Sequence, residues 1–127
     1  MSIVLALLLL VVPVKAETGR FTLTQDGRRI GTEEFTISAV LGGYRAEGQM
    51  RLDGDPTVMK SRMVLDQQLN PISYEYEDAR GLIRIRIEDP VSDYEQIVNG
   101  ETITDNFQFP KGGFILENMF HHSFKHL

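Results

Sequence analysis

From Arg20 to Phe109 apolar and polar residues alternate with a period of two, and turn-forming residues interrupt the pattern every eight to twelve positions. The clearest stretch is 43–52, where Tyr44, Ala46, Gly48, Met50 and Leu52 share one parity, opposite Arg45, Glu47, Gln49 and Arg51. Asp53-Gly54-Asp55-Pro56 then predicts a turn, with 57–65 as the return strand. Setting Leu52 against Thr57 pairs Met50 with Met59, Ala46 with Met63, Tyr44 with Leu65 and Glu47 with Arg62. Both faces agree on one register, so a hairpin is specified from two sides at once.

The same test works further on. Tyr74 and Tyr76 alternate with Glu75 and Glu77, while Ile83 and Ile85 alternate with Arg84 and Arg86. Across Asp78-Ala79-Arg80-Gly81 the tyrosines meet the isoleucines and the glutamates meet the arginines. Asn99-Gly100 predicts a tight type I′ turn between 94–98 and 101–105, and Asp26-Gly27 a turn after 21–25. Ile30 opposes Phe35 and Ile37 in parity, which calls for a β-bulge near 31–33. The expected fold is mainly β: a curled antiparallel meander of seven to eight strands, apolar on one face.

The two ends read differently. Residues 3–12 are almost purely aliphatic, too short for the roughly 20 residues that span a bilayer. They match the apolar stretch of a signal peptide, with Val14 and Ala16 as the small residues before a cut that leaves Glu17 first. An uncleaved anchor or a buried strand is the competing reading of this run, which no Lys or Arg precedes. The expected organisation is a leader over 1–16 and one domain over 17–127. After Pro110-Lys111-Gly112-Gly113, residues 114–127 have helical spacing, with Leu116, Met119, Phe120, Phe124 and Leu127 on one side. This helix is expected to lie on the apolar face of the sheet. Its stripe is unfinished at Leu127, the pattern of a chain that is carboxy-terminally incomplete.

Composition narrows the function. The chain has 127 residues and a formal charge of −5, which argues against a nucleic-acid partner; losing Lys15 with the leader makes it more acidic still. The absence of cysteine excludes disulfides, thiolate zinc sites and thiol nucleophiles, and suits an exported protein of the bacterial periplasm or cell envelope. No serine sits in a Gly-x-Ser-x-Gly turn and no phosphate-cradling glycine loop occurs, so no catalytic residue and no cofactor is assigned. His122 and His126, four apart on the expected helix, are the weak candidates for a metal, against the plainer reading of a solvated rim. Arg45, Arg51, Lys60, Arg62, Arg84 and Arg86 form either an anion patch or, more economically, cross-strand ion pairs with neighbouring glutamates. Glu33-Glu34 and Glu75/Glu77 read as carboxylates of solvated strand surfaces.

The apolar face is the most informative feature. Tyr44, Met50, Met59, Met63, Tyr74, Tyr76 and Ile85 are its candidate ligand-binding residues, set in a surface that also takes in Leu65, Ile72, Ile83 and Ile87. A non-catalytic envelope protein holding an apolar or lipid-like ligand in its curled sheet is the expected function. The alternatives are a structural or interaction module whose sheet is completed by further sequence or a partner, and, more remotely, a metal-dependent enzyme using the histidines.

Several short motifs carry a resemblance over residues 20–127. Asp26-Gly27 followed by Ile30-Gly31-Thr32-Glu33, then Leu65-Asp66 with Leu69-Asn70-Pro71 and Ile72-Ser73-Tyr74, then Leu116-Glu117-Asn118 with Phe120-His121-His122, resemble a group of exported bacterial β-sheet proteins that form a domain of unknown function. The resemblance implies a half-barrel embracing a helix, like the periplasmic lipoprotein carriers, with a second run of strands after the helix. It brings no catalytic residues, and lipid handling enters only as an analogy of shape.

Overall fold

The computed structural model describes residues 15–115. These form one open antiparallel sheet of eight strands in chain order: β1 (Ala16–Gln25), β2 (Arg28–Val40), β3 (Gly43–Leu52), β4 (Val58–Asp66), β5 (Pro71–Asp78), β6 (Gly81–Arg86), β7 (Ser92–Val98) and β8 (Glu101–Phe107). Each strand pairs only with its sequence neighbours, so β1 and β8 are the two edges. No helix occurs among the described residues: Phe114 and Ile115 are not helical, and the rest of the expected helix, 116–127, lies outside them. The expected leader also lies outside them, except for Lys15 and Ala16; Ala16 opens β1 opposite Ser38.

The registers read from the sequence are those of the fold. Met50 faces Met59, Ala46 faces Met63, Tyr44 faces Leu65 and Glu47 faces Arg62. Tyr74 faces Ile85, Tyr76 faces Ile83 and Glu75 faces Arg84. Asn99 (φ 51°) and Gly100 (φ 78°) both take the left-handed conformation that a type I′ turn requires, as do Asp26 (φ 51°) and Gly27 (φ 76°).

Two irregularities differ from expectation. The bulge on β2 falls at Ile30, because Leu23 pairs with Gly31 and Thr24 with Arg29; the 31–33 placement was slightly too late. A second break lies between β4 and β5, where Val64 pairs with Ser73 and Leu65 with Pro71. Ile72 is skipped there and is 42% exposed, so it leaves the apolar face on which its parity with Tyr74 and Tyr76 placed it. A bulge shifts every preceding residue of the strand to the other parity, and alternation alone does not reveal it.

The core has two parts on one face. Ala46, Met63, Leu65 and Tyr74 form the first, with Ile37, Tyr76, Ile85 and Ile115 against it. Leu23 and Met50 form the second, with Leu52, Met59 and Tyr76 around them, so Tyr76 joins the two. Phe35 stacks on Phe21 with ring centroids 5.2 Å apart and lies over Gly19, where a β-carbon would come within 2.4 Å of the ring. That glycine gives the ring its room. Beyond β8 the chain turns at 110–113, closed by the Gly113 N–H donating to the Pro110 carbonyl at 2.9 Å. Ile115 thereby returns to the first core cluster.

Aspartates brace three successive turns. Asp55 Oδ1 accepts the Thr57 N–H at 2.8 Å between β3 and β4. Asp66 accepts the backbone N–H of Gln68 (2.8 Å) and of Asn70 (2.9 Å) and the Asn70 amide (3.1 Å) between β4 and β5. Asp78 accepts from Arg80 and from the Tyr76 hydroxyl (3.2 Å) between β5 and β6. The hydrogen bonds of Asn70 hold Asp66, and those of Thr57 hold Asp55, below the usual carboxylate range. At Asp78 desolvation is the largest single influence and acts upward. The bonds from Arg80 and Tyr76, with the Arg80 charge, together outweigh it, and the net shift is downward. A carboxyl whose pKa is lower folded than unfolded stabilises fully above the unfolded value, here 3.8, and loses that contribution as pH falls through the folded one. Urea midpoints are therefore expected to be flat from about pH 6 to 5 and to fall below about pH 4, less steeply in Asp66→Asn. An unchanged slope in that variant would remove Asp66 from the account.

Candidate functional site

All seven candidate ligand residues lie on one face of the sheet. The rows Tyr44–Leu65, Met50–Met59, Ala46–Met63–Tyr74–Ile85 and Ser61–Tyr76–Ile83 run across β3 to β6 with their side chains on the same side. Burial divides the seven. Met50, Met63 and Tyr74 are buried within the core clusters; Met59, Tyr76 and Ile85 are half-buried against them; Tyr44 is 38% exposed. Three of the candidates are thus core, and the surface that remains in reach lies at Tyr44 and toward β6–β8.

Toward that second end the face holds a hollow of about 230 Å³, lined by Tyr76, Ile83, Gln96 and Val98 with Asp78 and Arg80 at its margin. Tyr76 places its ring on the wall while its hydroxyl donates to Asp78 Oδ2. Next to it the Tyr94 hydroxyl donates to Gln96 Oε1 at 3.0 Å. Ile103 on β8 extends the apolar strip and is 56% exposed. An apolar wall with a few oriented polar groups at its rim is the ordinary make-up of a small-molecule site.

Two polar residues on β2 and β4 were missed on this face. Glu33 was expected on a solvated surface and is instead fully buried on the apolar side, paired across the strands with Phe21 and Met50. Its parity with Phe35 and Ile37 would have shown this, had the bulge been placed before Gly31 rather than over Glu33. Ser61, between Gly48 and Tyr76, is also buried, and its Oγ has no hydrogen-bond partner among the described residues. No pattern in the sequence marks Ser61, since a small residue within an apolar parity is neutral.

The opposite face carries the larger concavity, a trough of about 960 Å³ floored by β1–β5. Its charges are mixed and largely matched. Arg20 bonds Glu34, Arg62 Nε bonds Glu47 at 2.9 Å, and Arg84 lies 2.8 Å from Glu95 and 3.9 Å from Glu75. Arg45 reaches Glu47 along its own strand at 3.8 Å. Those of Arg62 and Arg84 are the expected cross-strand ion pairs; all of them are exposed and worth under about 1 kcal/mol each. Arg51, Lys60 and Arg86 have no carboxylate within ion-pair distance among the described residues, so the pairing reading holds for part of the set.

The weak metal candidates His122 and His126 lie outside the described residues. Among the described residues no three potential ligand side chains converge as a metal ion would need. No helix among them is long and apolar enough to cross a membrane. No protein-family model, curated protein or solved structure matches the chain.

Proposed function

We propose that this is a non-catalytic exported protein of the bacterial envelope that holds an apolar, lipid-like ligand against the apolar face of its sheet. The observation that carries the reading is the hollow at Tyr76, Ile83, Gln96 and Val98, continuous with half-buried Ile85 and exposed Ile103. On the neighbouring strands of the same face Met50, Met63 and Tyr74 form the packed floor, and Tyr44, Met59, Tyr76 and Ile85 are the contact residues. Ile115 packs on the same face, against the cluster of Ala46, Met63, Leu65 and Tyr74. A hydrocarbon chain suits this surface because each buried methylene contributes about 0.8 kcal/mol without any directional demand.

Native mass spectrometry of protein purified from an envelope fraction tests the proposal. A population heavier by the mass of a lipid is expected, and it should disappear after extraction with organic solvent. A clean unliganded mass would overturn the reading.

A further inference from the structure

We infer that the free edge of β8 is a docking site for an extended basic segment of another protein, added to the sheet as a ninth strand. Glu101 and Ile103 pair with Val98 and Gln96, so this edge borders the apolar hollow, but the inference concerns the main-chain edge and does not depend on what that hollow holds.

β8 is an edge of the sheet and six of its seven residues are exposed, so no other described residue covers it. Its sequence, Glu101-Thr102-Ile103-Thr104-Asp105-Asn106-Phe107, is rich in strand formers and contains no proline and no lysine. Its pairing with β7 runs through every residue without a bulge. Natural edges are usually closed to other strands by such devices, and an edge that lacks them remains a template for another strand. The only guards here are acidic.

The charge of that edge selects the occupant. β7 and β8 carry Asp93, Glu95, Glu101 and Asp105 and no basic residue. Arg84 from β6 bonds Glu95 at 2.8 Å, and among the described residues no basic side chain lies within ion-pair distance of the two acids on β8. A second copy is disfavoured: antiparallel pairing of two β8 strands centred on Ile103 would set Glu101 opposite Asp105 twice. A basic strand meets the reverse situation. Register fixes Glu101, Ile103 and Asp105 on one face of the sheet, two residues apart. The complementary segment therefore reads basic–x–apolar–x–basic, whichever way it runs. The main chain supplies binding, and the side chains opposite 101, 103 and 105 supply selection.

The test uses the full chain, ¹⁵N-labelled, and a capped heptapeptide Thr-Lys-Thr-Val-Thr-Lys-Thr, with Thr-Glu-Thr-Val-Thr-Glu-Thr as its counterpart. The basic peptide should shift the amide signals of 101–107, weaken as salt is raised, and bind at least about tenfold more tightly than the acidic one. The doubly reversed variant Glu101→Lys with Asp105→Lys, both exposed, should fold normally and exchange the two preferences. Equal binding of both peptides, binding of neither, or an unchanged preference in the reversed variant would overturn the inference. So would concentration-dependent dimerisation of the parent through 101–107, which would make a second copy the occupant.

Discussion

Gly43→Ala is expected to cost the protein at least about 3 kcal/mol, while Gly42→Ala costs only about 1. The two glycines are neighbours in the β2–β3 turn, and they are glycine for different reasons. Gly42 has φ +85° and open space around its α-carbon, so an alanine there meets only the intrinsic penalty of the left-handed conformation. Gly43 pairs with Asp66 at the start of β3, and a β-carbon on it would lie 1.9 Å from the Leu65 carbonyl oxygen. That obstacle is backbone in an adjacent strand. Relief requires β3 and β4 to separate at the point where Leu65 enters the first core cluster. For a domain of this size each kcal/mol lowers the melting temperature by roughly 4–8 °C, so Gly43→Ala should melt more than about 10 °C below the parent. Thermal unfolding followed by circular dichroism measures both variants, and equal shifts would show that close approach of β4 is not what keeps residue 43 a glycine.

Met50→Ala is the second large effect, expected at about 2–5 kcal/mol. Met50 is fully buried beside Leu23, Leu52 and Met59, and its truncation leaves a cavity that the paired strands on both sides hold open. Met59→Ala, from a half-buried position directly across, should cost clearly less. The pair also separates core from binding surface. If Met50 is floor and Met59 is contact, urea midpoints should fall mainly in Met50→Ala, and retention of a bound lipid mainly in Met59→Ala. A reversed order would exchange their roles.

Much of the sheet was legible because its information is local and doubled. At β3–β4 the apolar set Tyr44, Ala46 and Met50 and the charged pair Glu47–Arg62 demand one register, and a slip of one residue would bury arginine. At Asn99-Gly100 the backbone demands a residue pair that few others replace. The candidate site was legible only as a face. Alternation names the side on which Met50 and Tyr76 lie, and it is blind to which of them is covered.

Two residues mark where that reading failed, for one physical cause. Ile72 was assigned to a side by parity, and the β4–β5 bulge reversed it. Glu33 was read as a solvated carboxylate with the β2 bulge expected over it, whereas that bulge falls earlier, at Ile30. A bulge depends on how two strands accommodate twist together, which is a property of the pair and is not written in either strand.

The sequence by itself determined the strands, their order, the tight turns and the registers of the central hairpins, because each follows from period-two patterning and turn stereochemistry between chain neighbours. Only the tertiary structure decided that the apolar stripe divides into a packed floor and an open hollow, that the larger trough lies on the charged face, that Glu33 is enclosed, and that β8 presents an acidic edge unpaired among the described residues. These depend on how far the sheet extends and what returns to cover it, and those distances join residues that no local pattern relates.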